Sequence, residues 1–331
     1  MNITVIGAGA WGTALAISLA GQHSVTLWAR DAAQVAAMQS ARCNQRYLPD
    51  VLFPDSLVVS SDFSGSLKGA DLLILSVPTA AFRMTLERLV SSAADLPGVI
   101  WLCKGFEAQT SLLPHQVAEQ VLPAHIPYGV LSGPSFALEV AQGLPTALVL
   151  ASMDESFAQR TAHALHHVRL RVYASNDVTG VEVGGAVKNV MAIAAGVCDG
   201  MKLGNNARAA LMTRGLAEIT RLGLKLGGHQ ETLGGLSGAG DLILTCTGDL
   251  SRNRRVGLML AKNLHLEDIL LQLGHVAEGV YAAQEVFRLA QRIGVDMPIS
   301  EAVYHVLYDH IPAAQMVETL LNRTASLEFS Q

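Results

Sequence analysis

The chain has 331 residues, 50% of them hydrophobic and only 5% aromatic, with a formal charge of −5. That length suits about two domains with sizeable cores, and the negative charge argues against a nucleic-acid partner, so any anionic ligand must be held by local cations. Mean hydropathy is high at +0.33, yet no stretch nears the roughly 18 uninterrupted apolar residues of a spanning helix, so membrane insertion is not expected.

The chain opens directly on an apolar run, Ile3–Ile6, without the basic segment and hydrophobic stretch of a secretory leader. A cytoplasmic location is therefore expected. Further strands are predicted at Ser24–Trp28, Leu57–Ser60, Leu72–Val77, Val99–Cys103, Tyr128–Leu131, Thr146–Leu150 and Leu170–Tyr173. Helical periodicity fills Trp11–Ala20, Asp31–Ala41, Ala80–Ser91 and Glu155–His166 between them. Alternation of this kind builds a mostly parallel sheet from βαβ units, with helices on both faces. After about Ser175 the strand signals stop, and helices are predicted at Val178–Gly196, Asn205–Leu226, Ala282–Arg292 and Ser300–Tyr308. The expected division is residues 1–175 as one domain and 176–331 as an all-helical second domain. The cysteines Cys43, Cys103, Cys198 and Cys246 show no CxxC spacing, which favours buried free thiols over a disulfide or a zinc site.

Gly7-Ala8-Gly9-Ala10-Trp11-Gly12 follows the first strand and opens the first helix, the context in which GxGxxG binds a dinucleotide. Gly7 permits the tight turn, Gly9 lets backbone approach a pyrophosphate, and Gly12 lets helix and strand pack closely. The helix start offers N–H groups and a positive dipole end to the phosphates. An α/β fold with an N-terminal Rossmann-like sheet follows. The second strand runs into Ala29-Arg30-Asp31. Arg30 suits the 2′-phosphate of NADP, with NAD as the alternative, and Asp31 suits a helix N-cap.

Ser76-Val77-Pro78-Thr79 and Lys104 each follow an apolar strand, and ligands sit beyond the carboxyl ends of such strands. Lys104 reads either as a cleft lysine or as a surface one. Lys188 lies in an otherwise apolar helical run in which Glu182 is the only other charge before Asp199. Burial lowers a lysine's pKa and makes it a proton donor near neutrality. Asp241 follows Gly238-Ala239-Gly240, read as a flexible turn. Ser251-Arg252-Asn253-Arg254-Arg255 begins a predicted helix, where guanidinium groups and free N–H groups suit a phosphate dianion; a solvated basic turn is the alternative. His163 and His167 have the i, i+4 spacing of metal ligands on one predicted helix with His166, but no acidic third ligand accompanies them, and no metal site is expected.

These segments together resemble the NAD(P)-dependent glycerol-3-phosphate dehydrogenases, the bacterial type in particular. The likeness runs in order through GAGAWGTALA, NQRYLP, SVP, CKGFE, SGPSFA, AVKNVMAIAAG, LSGAGDLILTCTGDLSRNRRVG and HVAEGVYAA, thinning only toward the C-terminus. The resemblance implies that Gly7, Gly9, Ala10, Trp11, Gly12 and Arg30 hold the adenine and pyrophosphate side of the cofactor. Lys104 would touch cofactor and substrate, Gly133 and Ser135 the substrate, and Ala137 the cofactor. Lys188 would exchange the proton at the C2 oxygen of a phosphorylated triose. Asp241, Ser251, Arg252 and Asn253 would complete the substrate site, with Arg252 also near the cofactor. Val276 and Glu278 would reach the nicotinamide half. Position 10 is Ala where many relatives have Ser, which removes a hydroxyl but leaves the backbone N–H. A homodimer supplying glycerol phosphate to phospholipid synthesis is implied as well. A β-hydroxyacid dehydrogenase is the nearest rival, and a catalytically silent NADP(H) sensor a more distant one.

Overall fold

A computed structural model describes residues 1–93, 95–273 and 277–323. Its first half runs β1 (Asn2–Ile6), α1 (Ala10–Leu19), β2 (Ser24–Trp28), α2 (Ala32–Ala41), β3 (Cys43–Asn44), β4 (Leu48–Leu52), β5 (Val58–Ser60), α3 (Phe63–Leu67), β6 (Leu72–Leu75) and α4 (Thr79–Ser92). It continues through β7 (Gly98–Trp101), α5 (Pro114–Val121), β8 (Tyr128–Ser132), α6 (Ala137–Ala141), β9 (Thr146–Ala151), α7 (Glu155–Leu165) and β10 (Leu170–Ser175). The main sheet has the order β10-β9-β8-β7-β6-β1-β2-β5. Every neighbouring pair is parallel except β8 and β9, so β9 and β10 run against the rest.

The central strands are apolar on both sides because helices cover both faces. Successive residues alternate between two cores, as a period of two requires. Val5, Leu27 and Ile74 pack with Leu15 and Leu19 of α1 and Leu165 of α7. Ile6, Leu73, Leu75 and Trp101 pack with Phe82, Leu86 and Leu89 of α4 and Val117 of α5.

The second half is helical: α8 (Val178–Gly200), α9 (Asn205–Lys225), α10 (Gln230–Leu233), a π-helical turn (Leu236–Gly240), α11 (Asp241–Thr247), α12 (Arg252–Leu260), α13 (Leu266–Leu273), α14 (Glu278–Ile293), α15 (Pro298–Tyr308) and α16 (Ala313–Leu321). Asp177 caps α8 by accepting a hydrogen bond from the Gly180 N–H at 2.8 Å. By length and composition α8 is apolar enough to cross a membrane, but it is buried throughout that stretch and forms the axis of the helical core. A helix apolar on all sides is the expected filling of such a core.

Close packing on α8 depends on small residues. A Cβ at Gly196 would collide with the Arg254 carbonyl oxygen, and one at Gly257 with the Ile193 carbonyl oxygen, so α8 and α12 meet backbone to backbone. Gly196→Ala is therefore expected to lower stability by about 3 kcal/mol, despite its better helix propensity, because backbone rather than a flexible side chain must move. A urea midpoint indistinguishable from the parent would contradict this contact.

Candidate active site

The glycine-rich turn is built as its residue types demand. Gly7 has φ +114°, and a Cβ there would strike the Ser76 carbonyl oxygen; one at Gly12 would strike the Gly7 carbonyl oxygen. Beside Gly9 nothing lies within 4 Å, and no side chain caps the start of α1. Open space against uncapped N–H groups fits a pyrophosphate. Trp11 is half-buried, and its indole N–H is buried without a partner. Asn44, from the β3–β4 hairpin, donates to the Ala8 carbonyl at 3.0 Å and to Thr13 Oγ1 at 2.8 Å, buttressing the turn from beneath. Arg30 is exposed at the end of β2, and Asp31 caps α2 through the Ala33 and Gln34 N–H groups.

Across the sheet's carboxyl edge, Lys104 extends from the end of β7 toward the helical region. Its Nζ donates to Asp241 Oδ2 at 2.6 Å and to the Gly133 carbonyl at 3.1 Å. Lys188, midway along α8, donates to the other oxygen, Asp241 Oδ1, at 2.5 Å and to Thr245 Oγ1 at 2.9 Å. One buried carboxylate thus holds two ammonium groups, one from the sheet and one from the helical core. Burial pulls the Lys188 ammonium down to about 8; Asp241 opposes that shift and the Lys104 charge adds to it.

Asp241 is not on a flexible turn. Gly238-Ala239-Gly240 belongs to the π-helical turn that runs straight into α11, and a Cβ at Gly238 would strike the Leu233 carbonyl. The extra residue per turn aims the first carboxylate of α11 back at α8, as such insertions do at functional sites. Ser251 caps α12, accepting from the Arg254 N–H at 3.2 Å, and leaves Arg252 exposed on the first turn. Arg254 pairs with Asp199 and Asp249, a structural role. Asn253 is buried, donates to Asn189 Oδ1 at 2.9 Å, and accepts from the Gly279 N–H at 3.0 Å at the start of α14. The half-buried Glu278 beside it has its carboxyl raised by desolvation, against the charges of Arg252, Lys104 and Lys188.

Gly133 has φ +134° and offers its carbonyl to Lys104 and to Ser135 Oγ, the latter at 3.0 Å. Ala137 is the first residue of α6, whose Val140 and Ala141 pack with Ala14 of α1 and so bring it beside the glycine turn. Val276 lies outside the described residues. The helix carrying His163 ends at Leu165, so His166 and His167 fall beyond it and the i, i+4 spacing is not realised; His167 instead pairs with Ser18 at 3.0 Å. Among the described residues no cluster of metal-ligating side chains occurs. Thr245 and Asn189 were not singled out from sequence. Thr245 sits one helical turn after Asp241, a spacing that puts both on one face, and Asn189 follows Lys188 directly.

Comparison with known proteins identifies the family. Residues 2–158 match the model for the N-terminus of NAD-dependent glycerol-3-phosphate dehydrogenase, and residues 177–318 the model for its C-terminus. A glycerol-3-phosphate dehydrogenase [NAD(P)+] of Nitrosomonas eutropha is 57% identical over 328 residues, covering 99% of both chains. One from Thiobacillus denitrificans is 58% identical over 329 residues, covering 99% of this chain and 100% of its own. The crystal structure of glycerol-3-phosphate dehydrogenase from Coxiella burnetii superposes with a TM-score of 0.93 at 43% identity, covering 97% of this chain and 99% of its own. With both family models and these full-length relatives in agreement, the chain belongs to the NAD(P)-dependent glycerol-3-phosphate dehydrogenases.

Proposed function

We propose that the chain reduces dihydroxyacetone phosphate reversibly to sn-glycerol 3-phosphate, with NADPH favoured over NADH, and so supplies glycerol phosphate to phospholipid synthesis. The observation that carries this reading is the Lys188–Asp241–Lys104 array, two cations on one carboxylate beside the carboxyl edge of the sheet. Gly7, Gly9, Ala10, Trp11 and Gly12 would hold the cofactor, with Arg30 at its 2′-phosphate and Ala137, Arg252, Val276 and Glu278 along its length. When bound, the dihydronicotinamide supplies the hydride equivalent that reduces C2 of the triose.

Lys188 donates a proton to the C2 oxygen as negative charge develops there, and Lys104 stabilises the same charge as a second cation. Asp241 keeps both ammonium groups aimed, and Thr245 fixes the rotamer of Lys188. Gly133, Ser135, Ser251, Arg252 and Asn253 bind the substrate. Arg252, exposed on the first turn of α12, engages the phosphate, and that remote binding aligns the carbonyl. Residues 1–175 act as the dinucleotide-binding domain and 176–331 as the substrate domain. Two copies pair as a homodimer, a reading supported by the stacked, half-buried Phe287, Tyr304 and Tyr308 of α14 and α15, since aromatics are enriched at interfaces. Four free buried cysteines suit a reducing cytoplasm.

The initial rate of NADPH oxidation by the purified protein, with and without dihydroxyacetone phosphate, tests the reaction. A rate that requires a β-keto acid instead would support the rival dehydrogenase. For the cofactor, Arg30→Ala is expected to raise the KM for NADPH about 10-fold while leaving NADH nearly unaffected, because only NADPH carries the 2′-phosphate that the guanidinium would meet. Equal effects on the two cofactors would remove Arg30 from the specificity role.

A further inference from the structure

The segment between Lys104 and α5 leaves the sheet region and enters the helical one. Phe106 and Leu113 are buried in the helical core rather than against the sheet. Between them the backbone is unusual: Gln109 has φ +71° and Ser111 φ +55°, left-handed conformations that L residues other than Asn and Asp rarely hold without support. On the sheet side, Arg83 of α4 grips this loop through Glu107 at 2.7 Å, and Thr110 also donates to Glu107. From the helical side, Glu285 of α14 accepts a hydrogen bond from the Gln109 N–H at 3.2 Å and from Ser111 Oγ at 2.7 Å. Glu285 is itself 2% exposed and is paired with Arg288 at 2.9 Å.

The spacing along α14 gives this contact its meaning. Glu285 lies seven positions, two helical turns, after Glu278 and so on the same face. The N-terminus of α14 is fixed at the candidate active site by Asn253, and the same helix two turns on holds the loop that starts at Lys104. We propose that Glu285 is a positioning residue: by clasping the two left-handed residues of the 105–113 loop, it sets Lys104 relative to Lys188 and Asp241 across the boundary between the sheet and the helical core. The inference rests on the reading of Lys104 as a cation that contacts the reacting triose. The carboxylate accepts from three groups, the Gln109 N–H, the Ser111 hydroxyl and the Arg288 guanidinium; an amide loses the charge that Arg288 faces and forces the Ser111 hydroxyl to turn from donor to acceptor.

The test is Glu285→Gln, assayed as folded protein after its melting temperature is measured. Steady-state turnover is expected to fall about 10- to 100-fold, with a raised KM for dihydroxyacetone phosphate, since small misplacement of a charge at the reacting centre has effects of that order. The dissociation constant for NADPH should change less than about 2-fold, because the glycine turn is untouched. The basic limb of the kcat profile should move to higher pH, because a displaced Lys104 no longer presses on the Lys188 ammonium. Glu285→Asp should recover part of the rate. If Glu285→Gln does not fold, Ser111→Ala removes one of the two bonds and should show the same signature at smaller size. A loss that only tracks the folded fraction, with KM and the pH limb unmoved, overturns the positioning role. Lys104→Ala separates the two readings: if it is as active as the parent, both fail, whereas if it is crippled while folded Glu285→Gln is not, the clasp alone fails.

Discussion

Lys188→Ala is expected to lower kcat by about 10³-fold while the protein stays folded, the size of effect that loss of a general acid produces. The fold should survive because the substitution removes a buried ammonium yet leaves Asp241 paired with Lys104 at 2.6 Å. The neighbourhood then contains a vacated channel beside a buried carboxylate, which is a binding site for a small primary ammonium ion. Added methylamine or ethylamine should therefore restore part of the rate, in proportion to the protonated amine concentration. In the parent enzyme, burial holds Lys188 at about 8. Reduction of the ketone needs the ammonium form, so its rate should decline above about 8, and this limb should vanish in Lys188→Ala and reappear at the pKa of the rescuing amine. Turnover by Lys188→Ala within a few-fold of the parent would assign the proton transfer to another group.

Much of this arrangement was legible in the sequence, for reasons that are themselves physical. The glycine turn could be read because Gly7 and Gly12 sit where any Cβ would meet backbone, so chemistry leaves only one residue type there. Lys188 could be read because a helical run whose only other charge before Asp199 is Glu182 leaves no broad solvent-facing stripe for a lysine, and nearly all of α8 is indeed buried. The strands of the main sheet fell close to their expected places because runs buried on both faces must be continuously apolar.

What escaped the sequence depends on contacts between distant segments. The β3–β4 hairpin contributes a two-residue strand, too short for any periodicity, yet it brings Asn44 under the glycine turn. The short helices α3, α5 and α6 lack the length over which a period of 3.6 becomes visible. Composition alone makes Gly238-Ala239-Gly240 a flexible turn, whereas in the structure glycine is there because the backbone packs against the Leu233 carbonyl within a π-helical turn. The arginine run reads as one basic patch, but its members diverge: Arg254 is spent on Asp199 and Asp249, while Arg252 stays exposed on the first turn of α12. Glu285 has a local partner in Arg288 that says nothing of the loop, since Gln109 and Ser111 lie more than 170 positions away.

Asp241→Asn should damage stability and rate together. The carboxylate is 1% exposed and receives one ammonium on each oxygen. An amide keeps one acceptor but turns its NH₂ toward the other lysine, so two buried cations lose their counter-charge and one of them faces a donor. Breaking a buried pair in this way costs about 3–5 kcal/mol. Asp241 is also the main influence holding the Lys188 ammonium up against desolvation. Its neutralisation must drive that pKa below about 8, leaving less of the acid form at neutral pH, so kcat should fall by about 10²- to 10³-fold and the surviving activity should peak at more acid pH. Linkage sets the sign for stability. A lysine whose pKa is lower folded than unfolded binds fewer protons in the folded state, so stability rises with pH between the folded value and about 10.4. The stability deficit of Asp241→Asn relative to the parent should thus be largest below neutrality and shrink as the pH is raised to about 8, above which both proteins gain stability alike. Urea unfolding of the two proteins at pH 6.5 and 9.5 measures this directly. A deficit that stayed constant between those values would mean that the Lys188 ammonium titrates alike with and without the carboxylate's charge, and that Asp241 serves packing more than charge.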